Sequence, residues 1–192
     1  KSSPLKIVIL TDFHRGSYNI IGDLFVKSLE RFAQVEHLPT PANIGQRHEL
    51  NEKFEGSISL HNTLGEGFVP LPGCYNIALP HHEWSEYPAP WIRLLNKFDE
   101  VWITTEHVKN VLHRSGLNIP SYTLPPALDF DHIEVKASYD LIEPPSFFFV
   151  GEPHFRKGHH LLMNGYMKAF PSAHDAKLTI KTSPTCVSES PR

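Results

Sequence analysis

Three polar loops hold most of the side chains in this chain that could bind or transform a ligand. The segment from Gly151 to His160 brings Arg156, Lys157, His159 and His160, with Gly158 among them, to the start of a stretch with helical spacing. The positive end of a helix dipole disfavours each cation there by roughly several tenths of a kcal/mol, so such a cluster calls for a negative partner. A phosphate or diphosphate supplies one, held by free backbone N–H groups and the Lys157 ammonium. A solvated basic turn is the alternative. Neither a GxxxxGK[ST] phosphate loop nor a GxGxxG dinucleotide fingerprint is present.

The segment from Asp12 to Asn19 carries His14, Arg15 and Gly16. Gly16 permits close backbone approach and His14 and Arg15 suit an anion, while Ser17 or Asn19 suits a helix cap. The third loop, Pro80 to Pro88, sets His81 and His82 beside Glu83 and Glu86, with Trp84 between them. Imidazoles and carboxylates exchange protons with a hydroxylated substrate or hydrogen-bond to it, and an indole stacks on a sugar face. A structural histidine with satisfied bonds is the alternative for either ring. No metal is expected, because neighbouring His81 and His82 tend to point apart, an HExxH helix is missing, and Cys74 and Cys186 lack CxxC spacing. Trp91 and Trp102 read as core residues, and Asp99 and Glu100 as surface turn charges.

The elements that must position these loops follow from periodicity. Lys6–Thr11 is a continuous apolar run, the pattern of a strand buried on both faces of a parallel sheet. Apolar residues at Ile20, Ile21, Leu24, Phe25, Leu29 and Phe32 then predict a helix with one buried stripe. Short strands are predicted at Val35–Leu38, Ser57–Leu60, Tyr75–Leu79, Val101–Thr104 and Tyr122–Leu124, with at most a weak helix between Pro39 and Glu55. A helix is predicted from Pro90 to Phe98. Another is capped by Thr104 or Thr105, buries Val108, Val111 and Leu112, and is closed by Gly116. Strands alternating with helices argue for an α/β fold with a doubly wound, mostly parallel Rossmann-like sheet.

The Pro125-Pro126 and Pro144-Pro145 pairs bracket a connector, which places a domain boundary near residue 140. Residues 1–140 form one Rossmann-like domain. Residues 141–192 start a second with the strand Phe147–Val150, a helix from about Gly158 to Phe170 and the strand Leu178–Lys181. The Ser/Pro-rich stretch from Thr182 to Arg192 supplies no further apolar element, so this second unit is expected to be incomplete. The missing initiator Met fits a trimmed chain. At 192 residues, 40% hydrophobic and 11% aromatic, the chain can bury a sizeable core, which excludes wholesale disorder. A net charge of −3 removes the electrostatic footprint of a general nucleic-acid binder. Two isolated cysteines fit a reducing compartment, and no apolar run reaches the length of a membrane span or a signal-peptide core.

These motifs, taken in order, resemble retaining glycosyltransferases of family 4. The likeness rests on the run from His81 to Pro88, on Trp91 to Trp102, on Thr104 to Val108, on Pro125 to Asp129, and on Phe148 to Gly151 followed by Arg156, Lys157 and Gly158. It is good over about residues 75–182 and extends to the first 74 only in outline. The resemblance implies a GT-B fold of two Rossmann-like domains, with the acceptor-side domain first. It implies transfer of a sugar from a nucleotide-sugar to a carbohydrate or other hydroxyl acceptor, with retention and without a metal ion or cofactor. On this likeness Arg156, Lys157 and Gly158 bind the donor diphosphate. His81, His82 and Glu83 stand near the reacting sugar as the catalytic group, and His14, Arg15 and Gly16 form the acceptor or phosphate loop.

Two features depart from the family pattern. Glu152 stands where the family usually has Arg, with Arg156 as the available substitute, and the later Glu-x7-Glu segment that binds the donor's ribose and sugar has no counterpart. The alternative is therefore a truncated, non-catalytic module of the same fold that binds a carbohydrate or a protein, with self-association through the incomplete second unit. The expected location is the cytoplasm, with peripheral membrane attachment as a variant of it.

Overall fold

A computed structural model describes residues 4–13, 16–125, 133–136, 138, 143–152, 154–172 and 174–182. The chain divides into two compact units, Lys1–His132 and Ile133–Arg192. The first contains β1 (Lys6–Thr11), β2 (Gln34–Pro39), β3 (Ile58–Asn62), β4 (Tyr75–Ala78), β5 (Glu100–Ile103) and β6 (Ser121–Thr123). Every pairing is parallel, in the order β2-β1-β3-β4-β5-β6. The result is a Rossmann-like α/β sheet.

Strand alternation sends successive residues to opposite faces, and both faces are covered. Ile7 and Ile9 of β1 join Leu60, Ile77 and Leu79 under Phe25, Val26 and Leu29 of α1 (Gly16–Leu29). Val8 and Leu10 point the other way, onto Leu50 and Phe54 of α2 (Ile44–Phe54) and onto Leu71. Ala78, Val101 and Ile103 meet α3 (Ala89–Leu95) and α4 (Glu106–Arg114) through Ile92, Leu95, Val108, Val111 and Leu112. Burial on both sides is why β1 is apolar without alternation. Trp91 and Trp102 pack against these clusters as the sequence suggested.

Local chemistry accounts for the helix ends. Thr105 accepts a bond from Val108 N at 3.3 Å, and the last turn of α4 closes with Leu117 N to Leu112 O at 2.9 Å and Gly116 N to His113 O at 3.0 Å. That pair of bonds is a Schellman closure, with Gly116 at φ 105°. α2 is firmer than its weakly patterned sequence suggested. Asn43 Oδ1 accepts from Gln46 N and Gln46 Oε1 accepts from Ala42 N, both at 2.9 Å, so two otherwise orphaned donors are satisfied before the helix reaches the core. Ser17 and Asn19 lie within the first turn of α1 rather than at its cap, and Asn19 Nδ2 reaches back to Phe13 O at 3.2 Å.

A polar seam runs through the α2/α3 side of the sheet. Asn76 Oδ1 accepts from Ser59 Oγ and from Leu71 N, each at 2.7 Å, while Asn76 Nδ2 donates to Leu71 O and Cys74 O. Asp99 and Glu100 are therefore more than turn charges. Asp99 Oδ2 accepts from Asn76 N at 2.7 Å, and Glu100 accepts from Tyr75 Oη and Trp102 Nε1.

The second unit pairs β7 (Ser146–Val150) with β8 (Lys177–Lys181) in parallel and carries α5 (His159–Ala169). Phe147 packs edge-on against Tyr166 of α5 and beside Phe170. Among the described residues, no helix is long and apolar enough to cross a membrane.

Candidate functional site

All six strands of the first unit point the same way, so their carboxyl ends form one edge. The strand order reverses at β1, which has β2 on one side and β3 on the other. The chain leaving β1 crosses to the α1 face, whereas the chain leaving β3 passes a short 3-10 turn at Gly65–Gly67 and reaches Phe68 and Leu71 on the other face. The point where loops part in this way, beyond the strand ends, is the usual ligand position in open α/β sheets.

Asn62, the last residue of β3, is the hub of the polar contacts at this edge and is fully buried. Its Nδ2 donates to Tyr18 O at 2.7 Å and to Thr11 Oγ1 at 3.4 Å, and its Oδ1 faces His81 Nε2 at 3.0 Å. The His81 ring also meets Tyr18 edge-on, with centroids 5.0 Å apart. Burial lowers the His81 pKa, which favours the neutral imidazole at pH 7. A neutral ring offers one N–H and one lone pair, the pair of functions needed to orient a hydroxyl.

His82 points elsewhere. Its Nε2 bonds to Glu86 O at 2.7 Å and its ring lies against Trp84 and Tyr87, so it ties the loop to itself. His81 and His82 thus diverge, as neighbouring residues of an irregular loop tend to. Glu83 is exposed on the same loop. Trp84 is 60% exposed and stacks on Trp91 with centroids 6.4 Å apart. Tyr87 is buried beneath them with its hydroxyl unpartnered, and that burial pushes the phenol far above its ordinary pKa.

On the β2 side, His37 Nε2 lies 2.9 Å from Thr11 Oγ1 and His37 Nδ1 lies 3.3 Å from Asp23 Oδ1. Thr11, Tyr18, Asp23, His37 and Asn62 were not picked out by motif reasoning. The predicted third strand stopped at Leu60, which left Asn62 in a loop; β3 runs two residues further. The one available signal was a polar residue closing each of two apolar strands, Thr11 and Asn62.

Gly16 opens α1, and nothing lies within 4 Å of where its Cβ would stand. The other two members of that predicted loop, His14 and Arg15, fall outside the described residues. In the second unit Arg156 and Lys157 occupy a separate 3-10 turn, Phe155–Lys157, and both are exposed. Gly158 follows in the left-handed region at φ 71°, and α5 begins with His159. The cations are therefore split. Two precede the helix and two imidazoles form its first residues, with His160 stacked on Phe155 at 4.0 Å. The buried Nδ1 atoms of His159 and His160 have no hydrogen-bond partner. Among the described residues, no group of three or more His, Cys, Asp or Glu is arranged to hold a metal ion. No protein-family model, curated protein or solved structure matches this chain.

Proposed function

We propose that the chain belongs to a retaining, metal-independent glycosyltransferase of the GT-B type, family 4. In this reading the first unit is the doubly wound acceptor-side domain and the second is the start of the nucleotide-sugar-binding domain. The observation that carries it is the turn into α5. Lys157 and the left-handed Gly158 lead directly into a helix whose first two imidazoles keep unpartnered Nδ1 atoms. The first amides of any helix lack intrahelical partners, so the end of α5 suits a diphosphate.

The nucleoside diphosphate leaves toward the Lys157 end of α5, whose fixed positive potential stabilises the charge that develops on it. The acceptor hydroxyl attacks from the same face, which retains the anomeric configuration. Within the first unit, His81 is a hydrogen-bonding group for a sugar hydroxyl, and the exposed Trp84 face suits stacking on a sugar ring. Isothermal titration of the chain with uridine, guanosine and adenosine diphosphates, beside Lys157→Ala, tests the reading. Binding of at least one of them that weakens about tenfold in the variant supports it; equal affinity in both removes Lys157 from the site.

One observation favours a second reading, a non-catalytic module that associates through its second unit. Phe148 and Val150, on the face of β7 away from Phe147, are 67% and 62% exposed. Light scattering discriminates between the two, since a monodisperse monomer without nucleotide response counts against both.

A further inference from the structure

We propose that Asn62 is a positioning residue that holds His81 as its Nε2–H tautomer. Tyr18 O is a backbone carbonyl and can only accept, so the Asn62 atom 2.7 Å from it is the amide nitrogen. The Asn62 amide orientation follows, and its Oδ1 is turned toward His81 Nε2 at 3.0 Å. An amide oxygen cannot donate. His81 Nε2 must therefore carry the proton, and in the neutral ring Nδ1 holds the lone pair.

The remaining bonds agree in direction. The second Asn62 Nδ2 proton points to Thr11 Oγ1 at 3.4 Å. Thr11 Oγ1 lies in turn 2.9 Å from His37 Nε2. His81 thus donates to Asn62, and Asn62 donates to Thr11. Bonds aligned in this way polarise one another. Burial, which keeps the His81 ring uncharged, acts alongside these bonds. The product is a ring whose Nδ1 presents a fixed acceptor for a hydroxyl donor. That the donor belongs to a sugar or acceptor rests on the glycosyltransferase reading; the tautomer does not.

The test is two-bond proton–nitrogen NMR of the full chain labelled with 15N-histidine, with His81 identified by the signals lost in His81→Gln. Above pH 7 the wild-type ring is expected in the Nε2–H form alone. In Asn62→Leu the two nitrogens are expected to move toward the averaged shifts of a free imidazole. Asn62→Asp keeps an acceptor at Nε2 and adds a charge, so it is expected to keep the tautomer and raise the His81 titration midpoint by about one pH unit or more. A wild-type ring that is Nδ1-protonated or averaged overturns the proposal without any variant having to fold. So do unchanged nitrogen shifts in folded Asn62→Leu, or an unmoved midpoint in folded Asn62→Asp. None of these readouts needs a nucleotide-sugar, so failed nucleotide binding defeats the transferase reading alone, and a wrong tautomer defeats this one alone.

Discussion

Gly22 of α1 and His37 of β2 approach so closely that a Cβ on Gly22 would lie 2.6 Å from His37 Nε2 and 2.9 Å from Thr11 Oγ1. A glycine inside a helix costs about 1 kcal/mol relative to alanine. Here it lets the helix backbone lie directly on the His37–Thr11 hydrogen bond.

Gly22→Ala is accordingly expected to destabilise the first unit. The clash involves a mostly buried imidazole held at Nε2 by Thr11, and overpacking of this kind costs about 1–3 kcal/mol, more than the helix-propensity gain returns. Urea unfolding should show a lower midpoint, and adding His37→Ala should recover part of the loss. A midpoint at or above wild type would show that the helix can shift freely.

His61 makes stability depend on pH. It is 1% exposed, and its pKa is lowered to about 3, chiefly by burial, with Arg47 adding to the shift and Asn76 opposing it. The folded state keeps the ring neutral, where it lies edge-on to Phe98 at 4.9 Å and within 3.1 Å of Ser59 Oγ. The unfolded chain binds a proton below its ordinary pKa of about 6.5. Unfolding therefore takes up a proton there, and stability falls as pH falls from about 6.5 toward 3. Between pH 7 and pH 5 the loss is about 2 kcal/mol. His61→Leu should flatten the pH dependence of the urea midpoint by about that amount. His81, lowered in the same direction, contributes equally to both proteins and leaves the difference intact. Parallel pH profiles for the two proteins would contradict the assignment.

Tyr87→Phe is expected to stabilise the protein or leave it unchanged, against the usual trend for buried substitutions. The hydroxyl is buried without a partner, and such a group costs about 1–3 kcal/mol of desolvation. The ring's contacts with His82 and Trp91 survive the change. Thermal unfolding gives the sign directly. A clear drop in midpoint would mean that the phenol has a partner in solution, such as a bound water.

Gly158→Ala isolates backbone strain, because nothing lies within 4 Å of the added Cβ while φ is 71°. The left-handed conformation costs an alanine about 1–2 kcal/mol. Hydrogen exchange at the amides of α5 should accelerate by roughly tenfold, and less in Gly158→Asn, since asparagine tolerates this region better. Equal exchange in all three proteins would place Gly158 in another conformation.

Much of the scaffold was legible because it is local. The apolar run of β1 and the Thr105 and Gly116 ends of α4 are each written in a few consecutive residues, and the structure keeps them; the stripe of α1 is kept only in part, since Ile20 and Phe32 are 64% and 79% exposed and Phe32 lies beyond the helix's end at Leu29. The α2 pattern spans little apolar surface and so predicts only a weak helix; its capping pair, Asn43 and Gln46, is the local signal that fixes it. The loop residues His81, His82 and Glu83 were picked out by type alone, and sequence could not tell that His81 turns inward while His82 bonds back to its own loop.

What the amino-acid order determined by itself is the succession of strands and helices, since hydrophobic periodicity and caps act within a turn or two of chain. The tertiary structure alone decided that Thr11, His37, Asn62 and His81 meet. They come from four different segments, and parallel pairing brings those segments side by side only after the intervening crossovers have folded. A hydrogen bond between residues 19 to 51 positions apart leaves no periodic trace in the sequence, so the identity of His81's partner, and with it the ring's tautomer, is a property of the assembled sheet edge.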